Sequence, residues 1–204
     1  LLYSRNKMES DKFYSVQPGD NLIGIARSHD AEVGMIMRVN SIQDPRTLQI
    51  GRRLKIPSVD FSIVVNLSDN TLTLLNHGQF FKEYKVRTGK MAGLTPTGQF
   101  VIREKIVDPE WRDPDTGHRI PSGDPKNELG SRWMGFGQSG LGIHETIHPE
   151  TLGGYASRGC IGMAKEDVQE LYDLVPRGTP VQIVGERKPM TYADLENTSA
   201  PESP

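Results

Sequence analysis

Across residues 61–107 apolar and polar side chains alternate with a period of two, which confines the middle of the chain to extended strands with one buried face. Ile63-Val64-Val65-Asn66-Leu67 reads as one such strand. Thr71-Leu72-Thr73-Leu74-Leu75, Asn76-His77-Gly78-Gln79 and Phe80-Phe81-Lys82-Glu83-Tyr84 read together as a hairpin closed at its glycine. Further on, Leu141-Gly142-Ile143-His144 and Val181-Gln182-Ile183-Val184 are strand-like. Between them Val168, Leu171, Leu174 and Val175 fall on one face of a helix that Pro176 and Gly178 stop. The stretch over residues 107–133 is dense in Pro, Gly and Asp. It is too long for an ordinary connection, so it is expected to be either a functional loop, such as a flap over the thiol, or an insertion.

The first quarter of the chain follows another rule. Phe13-Tyr14-Ser15-Val16 is a short strand ended by Pro18-Gly19. Asp20 is placed to cap a helix with Leu22, Ile25 and Ala26 on one face. A second helix is expected over residues 31–39 with Val33, Ile36 and Met37 inward, and Arg53-Leu54-Lys55-Ile56 closes the unit as a strand. Pro57-Ser58 separates this βααβ module from the strand-rich remainder of the chain. The 204 residues therefore divide into a leader (1–12), a small module (13–57), a β-rich domain (59–185) and a polar tail (186–204), for an overall α+β class. The chain opens Leu1-Leu2-Tyr3-Ser4-Arg5 with no initiator methionine, as expected if a signal peptide or anchor has been removed.

A net charge of −2 provides no basic field of the kind that nucleic-acid binders use, so no nucleic-acid partner is expected. A single cysteine excludes an internal disulfide and a cysteine-rich zinc site. That cysteine, Cys160, stands in Ser157-Arg158-Gly159-Cys160-Ile161-Gly162-Met163, sixteen positions after His144. A lone cysteine is more often a small buried hydrophobe, but these surroundings favour a nucleophile. Arg158 brings positive charge, Gly159 permits close backbone approach, and a helix expected from Ala164 would place its positive end near the sulfur. Gly135-Phe136-Gly137-Gln138-Ser139-Gly140 precedes a strand rather than a helix, so it does not read as a dinucleotide loop. Asp113-Pro114-Asp115-Thr116-Gly117 fails the calcium-loop register and reads as a turn. His144 and His148 lack the helix that a zinc pair requires, so no metal or cofactor is expected.

Gly142-Ile143-His144 followed by Ser157-Arg158-Gly159-Cys160-Ile161-x-Met163 resembles the YkuD-type L,D-transpeptidases. So do Tyr84-Lys85-Val86-Arg87-Thr88-Gly89-Lys90 and Thr95-Pro96-Thr97-Gly98-Gln99-Phe100. The resemblance implies a β-sandwich-like catalytic domain with a helix after the cysteine. In it Cys160 is the nucleophile and His144 its base, Gly159 and Cys160 supply backbone oxyanion donors, Arg158 steadies a charge, and Ser157 bonds within the loop or orients His144. One position departs from the pattern: Gly162 stands where such enzymes usually carry arginine or asparagine. Tyr14-Ser15-Val16-Gln17-Pro18-Gly19-Asp20-Asn21-Leu22, with Asn40 and Leu54-Lys55-Ile56-Pro57, resembles a LysM module. That likeness implies contacts to N-acetylglucosamine glycan from Gly19, Asp20, Asn21, Leu22, Asn40 and Ile42. Together the two resemblances imply a peptidoglycan partner and a location in the bacterial cell envelope. The acceptor stays open between a second stem peptide, a protein lysine and water, as does an inactive wall-binding protein.

Overall fold

The computed structural model describes residues 12–137 and 140–187. All of the expected leader except Lys12, and the tail beyond Arg187, lie outside the described residues. Strands β1 (Lys12–Ser15) and β2 (Arg53–Ile56) pair antiparallel, and helices α1 (Leu22–Ser28) and α2 (Val33–Val39) lie between them in the chain. Val16, Leu22, Ile25, Ala26, Ile36, Ile42, Leu54 and Ile56 form their common core. The cap of α1 is Asn21, whose side chain accepts from Gly24 N at 2.8 Å. Asp20, expected there, instead accepts from Gln17 N and Tyr14 Oη and so closes the preceding turn. It stands one residue too early to reach the helix's free N–H groups.

Asn40 ties the small module together. Its amide donates to the carbonyls of Ile36 and Lys55 and accepts from Lys55 N, each at 2.8 Å, joining the end of α2 to β2. Removing that side chain strands partly buried backbone groups, a loss of about 1 to 3 kcal/mol. Asn40→Ala is therefore expected to lower the denaturant midpoint of the module, read by chemical unfolding.

The second unit contains β3 (Phe61–Asn66), β4 (Thr71–Asn76), β5 (Gln79–Gly89), β6 (Gly98–Val101), β7 (Glu104–Val107), a small hairpin of β8 (Trp111–Arg112) and β9 (Arg119–Ile120), β10 (Arg132–Gly135), β11 (Gly142–Glu145), β12 (Tyr155–Ser157), β13 (Ile161–Met163), helix α3 (Lys165–Leu174) and β14 (Pro180–Val184). The β4–β5 turn falls on His77 and Gly78, both at positive φ, which matches the right-handed twist of the paired strands. Apart from β8 and β9, the strands form one ten-stranded sheet in the order β6-β14-β3-β4-β5-β13-β11-β10-β7, with β12 added along β5. The sandwich-like character comes from this single sheet curling so that both halves bury side chains in one core. Ile63, Val65, Leu72 and Leu74 meet Met134, Ile143 and Ile161 there, covered by Val168, Leu171 and Leu174 of α3.

Strand β11 pairs in parallel with β13. A parallel neighbour needs a crossover of a dozen or more residues, whereas a hairpin would need only a few. The sixteen-residue spacing of His144 and Cys160 is thus the length of chain that returns to the adjacent strand in the same direction.

The two units also dock. Met35 of α2, not among the residues expected inward, packs into the core of the larger unit. Lys105 Nζ donates to Glu32 at 2.8 Å and to the Val175 carbonyl at 2.7 Å, and Arg38 pairs with Asp173 at 2.7 Å. Gly34 makes this approach possible, because a Cβ there would lie 2.7 Å from the Asp173 side chain. Pro57-Ser58 therefore joins units in direct contact.

Candidate active site

Strand pairing alone sets up the site. Trp133 lies opposite His144, His144 opposite Gly162, and Gly162 opposite Arg87, a row running across β10, β11, β13 and β5. The adjacent positions Met134, Ile143 and Ile161 are fully buried in the core, so the row occupies the other face. Cys160, two positions before Gly162, has the same parity and sits just beyond the end of β13. Cys160, His144, Trp133 and Arg87 share a cavity of about 540 Å³. The 107–133 segment supplies another wall through Trp111, Arg112, Glu128 and Leu129.

His144 is buried, 4% exposed, and its Nδ1 lies 2.6 Å from the Glu145 carbonyl. A carbonyl oxygen only accepts, so Nδ1 carries the proton and Nε2 carries the lone pair. Burial lowers the imidazole pKa to about 4, and the nearby charge of Arg87 adds to that effect. The ring is therefore a neutral base throughout the neutral range. Cys160 is partly buried, and its Sγ–H donates to the Gly140 carbonyl at 2.9 Å. Burial raises the thiol pKa, while a backbone hydrogen bond from Gly142 and the charge of Arg87 oppose it. The resting pair is thus neutral thiol and neutral imidazole. Alkylation by iodoacetamide is accordingly expected to keep rising above the ordinary thiol pKa of about 8.5, with no plateau near neutrality. A plateau near neutral pH would contradict that protonation state.

This arrangement corrects several expectations. Helix α3 begins where expected, capped at Ala164, but the strand Ile161–Met163 lies between it and the cysteine, so Cys160 stands roughly 10 Å back along the chain, beyond the reach of the helix's terminal dipole. Arg158 is exposed and pairs with Asp115, so its charge is directed to the 107–133 segment rather than to the thiol. The cation whose charge acts on both the thiol and the imidazole is Arg87, which carries no mark in the sequence because it lies in a run buried on both strand faces, where no period-two pattern shows. Ser157 Oγ donates to the Cys160 carbonyl at 2.6 Å and accepts from Gly159 N at 3.1 Å. It shapes the loop, and its hydroxyl bonds within that loop rather than to His144. Gly159 N–H is already engaged, so of the two expected oxyanion donors Cys160 N–H is the one not spent on Ser157.

Gly159 itself has φ +137°, and a Cβ there would stand 2.6 Å from the Leu94 carbonyl. Its own carbonyl accepts from Thr95 Oγ1 at 2.7 Å, and Thr95 Oγ1 in turn accepts from Gly89 N at 2.8 Å. The Thr-Pro-Thr-Gly turn thus braces the cysteine loop from behind.

In the small module Gly19 is exposed at positive φ, Asn21 caps α1, Leu22 and Ile42 are core residues, and the side chains of Asp20 and Asn40 are hydrogen-bonded internally. Ile42 also edges a cavity of about 320 Å³ at the junction with Asp173; none of Gly19, Asp20, Asn21, Leu22 or Asn40 lines it.

Comparison with known proteins gives two family matches: the L,D-transpeptidase catalytic domain (YkuD) over residues 60–183, and the LysM domain over residues 14–57. The putative L,D-transpeptidase YkuD of Bacillus licheniformis is 31% identical over 83% of this chain and 97% of its own. The protein of the same name from Bacillus subtilis is 32% identical over 83% of this chain and 97% of its own. Among solved structures, the catalytic domain of the Enterococcus faecium L,D-transpeptidase superposes with a TM-score of 0.50 at 27% identity, covering 61% of this chain and 97% of that one. A mutant of the longer Enterococcus faecium L,D-transpeptidase gives 0.51 at 26% identity, and there the match spans half of that chain.

Proposed function

Because the chain belongs to the L,D-transpeptidase family and carries a YkuD catalytic domain behind a LysM domain, we propose that it is a cysteine acyltransferase of the cell envelope acting on the stem tetrapeptide of peptidoglycan. The observation that carries this reading is the single cavity holding the Cys160 thiol and a His144 whose Nδ1 is fixed as the donor. In the first half-reaction the thiol gives its proton to His144 Nε2 as sulfur bonds to the carbonyl carbon of the third stem residue, a diamino acid. The C–N bond to the terminal D-Ala then breaks, its nitrogen takes the proton from the imidazolium, and a thioester remains. The tetrahedral oxyanion between these events sits against the Cys160 N–H, a donor worth about 3 to 4 kcal/mol in such sites. In the second half-reaction the amine of another stem attacks the thioester and loses its proton to His144. The C–S bond breaks and the thiolate recovers that proton, leaving an amide that joins the two stems. Water in the amine's place gives a carboxypeptidase.

Arg158 serves this cycle through its pairing with the 107–133 segment, and Ser157 and Gly159 serve it by fixing the cysteine loop. The LysM domain keeps the catalytic domain on its polymer, raising the effective substrate concentration toward the millimolar range. Glycan contact there involves the backbone around Gly19, Asp20, Asn21 and Leu22 and the segment from Asn40 to Ile42, since their polar side chains are spent on the module's own structure. Incubation with isolated disaccharide-tetrapeptide, read by mass spectrometry, tests the reading. Cross-linked dimer with release of D-Ala is the expected product; D-Ala without dimer assigns the hydrolytic reaction, and unchanged substrate contradicts both.

A further inference from the structure

The geometry points to Arg87 as the residue that holds a carboxylate of the donor peptide in the cavity, reaching it through the space that Gly162 leaves open. This rests on the cavity being the donor site. Arg87 lies opposite Gly162 in the antiparallel pairing of β5 with β13. A Cβ at position 162 would stand 2.7 Å from both Cγ and Nε of Arg87, so the arginine stem crosses the strand only because that residue is glycine. The side chain expected at 162 is therefore absent, and a side chain from the neighbouring strand fills its place.

The guanidinium is underused where it sits. Its side chain is only 7% exposed, yet it forms part of the cavity wall. Nε is buried with no hydrogen-bond partner, and Nη2 makes a long contact of 3.2 Å to Glu128. Glu128 is itself shared with His148 at 3.3 Å and is a third exposed. A buried guanidinium with an unsatisfied donor favours a second anion, and its planar fork matches a carboxylate. Its charge is felt at both Cys160 and His144, so a carboxylate held there lies close to the reacting atoms. The other cations of the wall, Lys90, Arg112 and Arg158, are exposed, and Arg158 is already paired. The two stem carboxylates nearest the reacting carbonyl share this chemistry: the terminal one of D-Ala, and the side-chain one of the third residue where that diamino acid is a dicarboxylic one.

The test measures Cys160 acylation by intact mass in the full chain with three donors: the free tetrapeptide, its terminal amide, and the peptide amidated on the diamino acid side chain. Wild type is expected to favour the free peptide by about 30-fold in kcat/KM over one of the two amides, which identifies the carboxylate held. In Arg87→Gln that ratio collapses toward unity, mainly through KM. Arg87→Lys keeps a part of it, and Gly162→Ala, which pushes the arginine stem aside, loses a part. Thermal melts accompany each variant. If Arg87→Gln fails to fold, the wild-type donor ratios and Gly162→Ala decide. Equal acylation by all three donors, or an unchanged ratio in the folded variants, would overturn the assignment of Arg87 and leave the acyltransferase reading standing. No acylation of wild type by any donor would overturn that reading, and the assignment with it.

Discussion

Replacing His144 with glutamine is expected to slow acylation of Cys160 by about a thousandfold near neutral pH, roughly 4 kcal/mol of barrier. The size follows from the resting protonation state. Burial raises the thiol pKa and lowers that of the imidazole to about 4, so no preformed thiolate is stored and the proton must move during attack. Without Nε2 to accept it, only bulk base remains. The residual rate of His144→Gln should therefore climb with pH toward the raised thiol pKa. The wild-type rate should hold on the acid side until the histidine protonates, near pH 4 rather than near its ordinary value of about 6.5. Rates measured across pH for both proteins check the two limbs together. A wild-type acid limb near pH 6.5 would mean that the imidazole is far more hydrated than its 4% exposure allows.

Gly159→Ala is expected to cost at least a hundredfold in acylation, and about 1 to 3 kcal/mol in stability. The backbone at φ +137° lies in a region that L side chains rarely adopt, and the added Cβ meets the Leu94 carbonyl at 2.6 Å, a backbone atom that cannot swing aside. Relief requires the loop to shift. That shift breaks the Thr95 Oγ1 bond to the Gly159 carbonyl and moves the adjacent sulfur. Because the thiol and imidazole must meet within hydrogen-bond reach, a displacement near 1 Å is enough for a loss of this size. The measurements are denaturant unfolding and intact-mass acylation. A variant that unfolds like wild type and reacts at the wild-type rate would show that the loop tolerates another geometry.

Much of this was legible in the residues because each piece obeys a local rule. Alternation at period two marked β3, β4 and β5, the His77-Gly78 turn marked their hairpin, and the spacing of Val168, Leu171 and Leu174 marked α3. The pairing of His144 with Cys160 was legible as a spacing, since sixteen residues suits a parallel crossover. What escaped depends on cross-strand neighbours. Arg87 acquires its place only through its register with Gly162, and Met35 only through docking of α2 on the larger core. Asp20 and Arg158 were chemically apt for the roles first given them, but position decided otherwise: Asp20 sits one residue before the cap, and Arg158 turns outward to Asp115. The start of the helix at Ala164 was legible, but the strand β13 between it and the cysteine was not, because three residues are too few for a period-two pattern to show.

The most direct test of the mechanism is to incubate wild-type protein and Cys160→Ala with disaccharide-tetrapeptide whose diamino acid side-chain amine has been acetylated, so that the donor cannot also serve as acceptor, and to follow both protein mass and free D-Ala. The mechanism predicts a wild-type adduct equal to the donor minus D-Ala, mapped to Cys160, with matching release of D-Ala, and neither adduct nor D-Ala from Cys160→Ala. D-Ala release that persists in Cys160→Ala, or a wild-type protein that neither gains mass nor releases D-Ala, would contradict it.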